Sequence, residues 1–287
     1  MRRVFAVVIA VVLMPGIVIP ACAQFPVDAA LPAPYSAKKL QSLRHRAEDG
    51  NAAAQFSLGL AYAFGNGVER DPAQAAAWYR RAADQGLPEA QNNLGLLLLG
   101  EDASPDDRQV VQWFRRAALE HLPSAENNLG WMYAKGRGVP RDDAEAVRWY
   151  RRSAEHDYAL GQVNLAVMYF HGRGVPQDDL EATRLFARAA KSGSGVAQSA
   201  LGLLYALGRG VGKDVTQAAH WWERAAKQGI APAECNLAVL LHRGVGVTRD
   251  HAAAHEWLAR AAAHGIVPRG DLDGLDDYTE ILNLTAF

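Results

Sequence analysis

Leucines and bulky aromatic residues recur along this chain at an interval of about 36 residues. One series consists of leucines, and a second series, about 20 residues later in each period, consists of tryptophans and one leucine. The first series is Leu58, Leu94, Leu129, Leu165, Leu201 and Leu237, and the second is Trp78, Trp113, Trp149, Leu185, Trp221 and Trp257. Self-similarity at a fixed period is typical of repeat architectures, so the pattern predicts six repeated units.

Each unit has the features of two helices joined by a turn. In the first unit, Ala54, Leu58 and Ala61 form an apolar stripe with helical spacing. Gly65 and Gly67 follow, and glycine adopts the positive φ angles of a helix exit. An aspartate seven residues before the second bulky position predicts the N-cap of the second helix. These aspartates are Asp71, Asp106, Asp142, Asp178, Asp214 and Asp250. A Glu or Gln three residues later in five units predicts a capping box.

The pattern therefore predicts an all-α fold, an α/α superhelical solenoid of six two-helix repeats. The predicted repeats span residues 51–86, 87–121, 122–157, 158–193, 194–229 and 230–265. A unit of this size buries too little apolar surface to stand alone, so neighbouring units must stack. Residues 36–50 predict an N-terminal capping helix and residues 266–287 a C-terminal cap. The second unit lacks Gly-x-Gly, which predicts an altered loop there.

The N-terminus has the pattern of a secretory signal. Arg2 and Arg3 precede a ten-residue apolar run, and Ala21 and Ala23 are small residues at cleavage-site spacing. We therefore predict a signal peptide over residues 1–23, a flexible leader over residues 24–35 and a periplasmic or secreted protein. The alternatives are a lipoprotein anchored at Cys22 and an uncleaved membrane anchor. No later segment is long and apolar enough to predict a membrane span.

Charge and cysteine content narrow the classes of partner and of chemistry. The chain carries 30 Lys and Arg against 31 Asp and Glu, a formal net charge of -1, so no basic surface indicates nucleic-acid binding. After cleavage, Cys235 remains as the single cysteine, which excludes an internal disulfide. Its apolar neighbours predict a buried, inert thiol.

Residues 125–142 read Ala-Glu-Asn-Asn-Leu-Gly-Trp-Met-Tyr-Ala-Lys-Gly-Arg-Gly-Val-Pro-Arg-Asp, and Ala146 and Trp149 follow. This segment resembles the Sel-one-like repeat family, which is related to the tetratricopeptide repeats, and the resemblance extends over residues 51–265. It implies an α/α superhelix with an adaptor or scaffold role and partner peptides held on a concave face. One bacterial branch of the family is exported and rich in disulfides. The chain resembles an exported bacterial member, but it departs from that branch because it lacks the paired cysteines.

Candidate catalytic and metal-binding patterns are isolated. Ser36 and Lys39 have the spacing of a Ser-Lys nucleophile pair, but no companion motif accompanies them. His251 and His255 share one helix face without a third ligand, so solvent-exposed histidines are the favoured interpretation. We therefore predict no catalytic residue, no cofactor and no metal site, and a protein that is not an enzyme.

Specificity is expected where the repeats differ. The variable positions of the first helices predict a peptide-binding set, with packing between units as the alternative interpretation. The set is Asn92, Asn127, Trp131, Lys135, Phe170, His171, His242 and Arg243. The predicted function is a scaffold or adaptor of the bacterial cell envelope that binds partner proteins. The alternatives are a secreted host-interacting or envelope-stress factor and a hydrolase that acts on the cell wall.

Overall fold

A computed structural model describes residues 34–100, 104 and 106–264, and this part of the chain forms 13 α-helices. Their bounds are α1 Ala37–Glu48, α2 Ala52–Phe64, α3 Pro72–Asp84, α4 Pro88–Leu98, α5 Asp107–Leu119, α6 Pro123–Lys135, α7 Asp143–Glu155, α8 Ala159–His171, α9 Asp179–Lys191, α10 Gly195–Leu207, α11 Val215–Ala226, α12 Ala231–Arg243 and α13 His251–Ala263. The all-α solenoid class is confirmed. The predicted signal peptide, the leader up to residue 33 and the C-terminal cap lie outside the described residues.

The described residues fall into two compact units. Residues 34–156 hold α1 to α7, and residues 157–264 hold α8 to α13. In each unit the first and second helices of a repeat pack against each other, and each second helix packs on the next first helix of its unit. The helix predicted over residues 36–50 is α1, which begins after the N-cap Ser36.

Glycines in the first helices allow this close pairing. A Cβ atom added to Gly59 would lie 2.5 Å from the Tyr79 ring, and one added to Gly202 would lie 2.6 Å from the Trp222 ring. Aromatic side chains bury large apolar areas, and a glycine opposite the ring in four of the repeats lets the two helices bury that ring completely. The most deeply buried ring therefore follows the predicted bulky position by one residue. These rings are Tyr79, Phe114, Tyr150, Phe186 and Trp222.

Aspartate caps start the second helices as predicted, with one exception. Asp142 Oδ1 accepts a hydrogen bond of 2.9 Å from the Glu145 amide, and the equivalent bond forms at Asp71, Asp178, Asp214 and Asp250. Asp106 is the exception, because its side chain makes no capping hydrogen bond to the described helix α5. The sequence of the second repeat has no Gly-x-Gly before this aspartate, and the next residue, Asp107, binds Arg137 instead.

The reciprocal half of the predicted capping box is wrong. The backbone amide of Asp142 donates to the Tyr133 carbonyl at 3.0 Å, so it does not need the Glu145 side chain. Glu145 pairs instead with Arg148 at 2.8 Å. The aspartate thus joins the two helices of one repeat: its side chain caps the second helix while its amide bonds to the first.

Across the described part of the chain, every helix is too short or too polar to traverse a lipid bilayer.

Candidate functional site

The last residue of each first helix is a recurrent, solvent-accessible position. In five repeats it precedes a glycine in the left-handed conformation, such as Gly136 (φ 67°) and Gly208 (φ 71°). Three predicted residues occupy this position: exposed Lys135 on α6, and half-buried His171 on α8 and Arg243 on α12. Cations are favoured there because the helix C-terminus carries a partial negative charge.

Leu207 and Phe64 hold the same position in other repeats, and each is 37% exposed. Neither residue belongs to the predicted peptide-binding set, although the 36-residue period aligns both with Lys135. The position therefore combines cationic and apolar side chains.

Asn92 and Asn127, two members of the predicted peptide-binding set, are buried. Asn92, on α4, is 5% exposed, and its Oδ1 accepts a hydrogen bond of 2.9 Å from Asn128 Nδ2 on α6. Asn127 is fully buried on α6. Buried amides need hydrogen-bond partners, and Asn92 finds one between successive first helices. Peptide binding by these two residues stays a prediction.

Trp131 and Phe170 are also buried, with 9% and 6% of their surfaces exposed. A side chain that anchors a partner would be accessible in the free protein, whereas most of the Trp131 side chain is covered. The Arg137 guanidinium lies 5.6 Å from the centre of the Trp131 ring, and the Arg209 guanidinium lies 3.9 Å from that of Phe170. Each ring is covered by an arginine from the same compact unit of the chain. A role of Trp131 and Phe170 in peptide binding stays a prediction.

These arginines belong to clamps between successive repeats. Arg137 Nε and Nη2 donate to the Asp107 carboxylate at 2.8 and 2.9 Å, and Arg209 binds Asp179 in the same bidentate way at 2.8 and 2.7 Å. The arginine is the middle residue of Gly-x-Gly, and a Cβ on Gly138 would collide with the Asp107 carbonyl. Burial alone would raise the pKa of Asp107, but hydrogen bonds from Arg137 and Ser104 outweigh it and lower this pKa.

The sixth repeat pairs two histidines. His242, the last of the predicted histidines, is half-buried on α12, and its Nδ1 lies 3.1 Å from His251 Nδ1 at the start of α13. His251 and His255 are both exposed on α13. His242 therefore faces the start of the second helix in its own repeat.

A cluster of titratable groups that the sequence patterns did not predict lies in the third repeat and the residue before it. His121, Glu126 and His156 place one ligand atom each within 4.8 Å of one another, although they are separated along the chain. Burial raises the pKa of the Glu126 carboxyl, and Arg152, His156 and His121 oppose that rise. The sequence does carry a signal for this cluster, because other repeats commonly hold Gly or Gln at these three positions.

Comparison with known proteins agrees with this architecture. Six segments match the Sel1 repeat: residues 52–87, 88–121, 123–158, 159–194, 195–230 and 231–266. The chain belongs to the Sel1 repeat family. Each matched segment begins one residue after the corresponding predicted repeat. Proteins of the Sel1 repeat family generally mediate protein–protein interactions and are generally non-enzymatic scaffolds.

Two solved Sel1 structures are similar over most of the chain. A protective antigen present in uropathogenic Escherichia coli strains is 37% identical with a TM-score of 0.70, over 79% of this chain and 49% of that one. A Sel1 repeat protein from Oxalobacter formigenes is 34% identical with a TM-score of 0.70, over 78% of this chain and 99% of that one. This chain thus spans about half of the E. coli protein.

A shorter match lies in a plant protein. The ERAD-associated E3 ubiquitin-protein ligase component HRD3A of Arabidopsis thaliana is 41% identical over 56 residues, which are 19% of this chain and 8% of that protein. The match extends the family relationship to a eukaryotic protein.

Proposed function

We propose that this Sel1 repeat protein is a non-enzymatic scaffold of the bacterial cell envelope that binds segments of partner proteins at the ends of its first helices. The observation that carries the proposal is the chemistry of one position in three successive repeats of the unit formed by residues 157–264. His171, Leu207 and Arg243 end α8, α10 and α12, and all three are at least partly exposed.

This order of side chains selects a class of partner. Arg243 offers a guanidinium that binds carboxylates in a bidentate geometry. Leu207, at the same position of the preceding repeat, offers apolar surface. His171, one repeat earlier again, offers a ring that hydrogen-bonds to polar or acidic groups. The matching segment carries an apolar side chain flanked by acidic groups, and Lys135 gives the other unit a cation at the same position.

A displayed library of random peptides tests this proposal against the purified full chain. We expect selected peptides to be enriched in Asp or Glu on both sides of a Leu, Ile, Val or Phe. Leu207→Asp and Arg243→Glu should each weaken the best peptide about 10-fold or more, the scale of an interface hot spot. Leu180→Asp is the matched control, because Leu180 is 62% exposed on the second helix α9 and should leave binding unchanged. Equal losses in all three variants, or no enrichment, would contradict the proposal.

Location in the envelope is a separate part of the proposal and rests on the N-terminal sequence. Expression in a Gram-negative host followed by fractionation should place the protein in the periplasm or the medium. The intact mass should correspond to a chain that starts at Gln24. A mass that corresponds to an acylated chain starting at Cys22 would support the lipoprotein alternative, and the uncleaved mass would support an anchor.

The second candidate is a secreted factor that interacts with a host. It is favoured by one observation, the description of the E. coli relative as a protective antigen. Recovery of the folded protein from the culture medium, with little in the periplasm, would favour this candidate over the periplasmic scaffold.

A further inference from the structure

The third repeat departs from most others at a buried position near the start of its first helix. Four repeats hold Gln there, and Gln55, Gln91 and Gln198 each donate to a carbonyl at the end of the preceding helix, at 3.0 to 3.1 Å. Glu126 replaces the amide in the third repeat and is fully buried. An ionised carboxylate cannot donate, so Glu126 cannot make that hydrogen bond.

The loop before Glu126 also differs from the loops at the same position of other repeats, because a histidine replaces their glycine. Gly50, Gly86, Gly193 and Gly229 end their helices with φ between 76° and 99°. His121 holds the equivalent position with φ 59°. A left-handed conformation is unfavourable for residues that carry a side chain, and it is often found at functional sites. His156, at the end of α7, is the third member, at a position that varies among the repeats: Gln85, Glu120, Ser192, Gln228 and His264 hold it elsewhere.

The three side chains converge on one point. Their ligand atoms lie within 4.8 Å of one another, and Glu126 Oε2 lies 4.0 Å from His156 Nε2. Among the described residues, the group that compensates the charge of the Glu126 carboxylate is the Arg152 guanidinium, and neither oxygen accepts a further hydrogen bond of good geometry. A buried carboxylate needs hydrogen bonds or a cation close by.

Arg152 is the cation beside it in the structure. Its Nε lies 3.1 Å from Glu126 Oε1, and its Nη2 lies 3.2 Å from His121 Nδ1. The guanidinium also stacks 4.7 Å from the centre of the Trp149 ring and is partly exposed. The C-terminal ends of α5 and α7 add partial negative charge at the same place. The surroundings therefore favour positive charge.

We propose that His121, Glu126 and His156 form a binding site for a divalent first-row transition metal, of which zinc fits the ligands best. Two imidazoles and one carboxylate are a ligand set that zinc uses, with a fourth position left for water or an external ligand. Zinc bonds of about 2.0–2.2 Å require the ligand atoms to move closer together than in the structure. Both histidines are exposed at helix ends, so rotation of their side chains can close the site, and Arg152 swings outward.

The sixth repeat supplies an internal comparison. Glu234 and His264 hold the positions of Glu126 and His156, and Glu234 Oε2 lies 2.9 Å from His264 Nδ1. Gly229 holds the position of His121, so this set has two ligands where the third repeat has three. Zinc should therefore prefer the third repeat.

The experiment replaces the three ligands with residues that other repeats hold: His121→Gly, Glu126→Gln and His156→Gln. Each replacement suits the fold, because glycine accepts the positive φ of residue 121 and the amide introduced by Glu126→Gln can donate to the helix end as Gln91 does. Zinc chloride is titrated into the tag-free full chain by calorimetry, and thermal unfolding is followed with and without zinc. We expect one zinc per wild-type chain, and a rise in the unfolding midpoint of roughly 5 °C at a 100-fold excess over Kd.

The triple variant should bind zinc at least about 10-fold more weakly, lose the zinc-dependent rise and unfold no earlier than metal-free wild type. His242→Gln, which removes a histidine of the His242–His251 pair, is the control and should retain both signals. Arg152→Gln should bind zinc more tightly, because it removes a competing cation. No zinc-dependent rise in the wild type, or an equal rise in the triple variant, would overturn the proposal. Cobalt(II) absorption of the single variant His156→Gln gives a readout independent of stability, and an unchanged spectrum would also overturn it.

Discussion

At the scale of single residues, the geometry of a side chain matters more than its place in the repeat. Asp142 and Asp106 occupy the same position in successive repeats, but Asp142 caps its helix and Asp106 does not. The difference follows from the loop before them, because the second repeat lacks the Gly-x-Gly turn that positions the aspartate.

Asp142→Ala should therefore lower the free energy of unfolding by about 0.5–2 kcal/mol, since it removes the acceptor of the Glu145 amide. Asp106→Ala should change it by less than about 0.5 kcal/mol. Denaturant titrations of both variants test this contrast. Equal losses would show that the two aspartates act alike in solution.

Glycine in a helix interior normally costs stability, but Gly130 makes room for a ring. A Cβ at Gly130 would lie 2.8 Å from the Tyr150 ring and 3.2 Å from the Ala146 carbonyl. Gly130→Ala should therefore destabilise the protein by about 1–3 kcal/mol despite the higher helix propensity of alanine. Gly212→Ala is the control, because no atom lies within 4 Å of the added Cβ. If thermal unfolding shows Gly130→Ala to be as stable as the control, the ring is not held as described.

At the scale of helices and repeats, buried clamps connect one repeat to the next. Arg137 is 8% exposed and Asp107 is 1% exposed, so the pair is shielded from water. Removal of one partner of a buried pair leaves an uncompensated charge, which typically costs about 3–5 kcal/mol. The interface between the fifth and sixth repeats uses Val215 and Val245 at the corresponding positions, and both pack against one apolar cluster.

Arg137→Val should be strongly destabilising, by about 3–5 kcal/mol at pH 7. Adding Asp107→Val should recover most of that loss, because it recreates the valine pair of the later interface. Chemical denaturation of the single and double variants measures the coupling between the two positions. A double variant that is less stable than Arg137→Val would exclude this equivalence.

The Arg137–Asp107 clamp also makes the free energy of unfolding depend on pH. The pKa of Asp107 is lower in the folded protein than its ordinary value, so its contribution to stability is present above the unfolded value of about 3.9. That contribution is lost as the pH falls through the folded pKa. The stability gap between wild type and Asp107→Asn should therefore narrow below about pH 4. A gap that is unchanged in acid unfolding experiments would mean that the carboxylate is not held by Arg137.

The helices and most caps were predictable because they depend on local sequence. Apolar spacing, Asp142 and the glycine at position 136 each act within a few residues. The Arg137 clamp joins residues 30 apart, and the proposed zinc site joins His121 to His156. Such contacts depend on how successive helices stack, which the period of the sequence does not specify.

Exposure was the least predictable property of the candidate surface. Variation among repeats identified Lys135 and Arg243, which are accessible, and equally Trp131 and Phe170, which are not. The covering arginines, Arg137 and Arg209, come from Gly-x-Gly turns, whose reach a linear pattern does not show.

At the scale of the whole molecule, Cys235 reports on the opening of the array. Its thiol is fully buried, and burial raises its pKa to about 11, so the reactive thiolate is suppressed. Alkylation of Cys235 should be slow in the native protein and should accelerate in parallel with unfolding as denaturant is added. Rapid alkylation in buffer would show that the sixth repeat opens on its own.

The clamps make each repeat compatible only with neighbours that carry the matching residue. At two interfaces the arginine of one repeat binds the aspartate of the repeat before it. At the interface between the fifth and sixth repeats, valines replace both residues. A change in the number of repeats brings new neighbours together, and these matched pairs restrict which of the resulting arrays fold. If the fifth repeat, residues 194–229, were lost, Val245 of the sixth repeat would lie opposite Asp179 of the fourth. The Asp179 carboxylate would then have no arginine partner at the new interface. The order of the repeats is therefore constrained by folding, because each repeat must match the one before it.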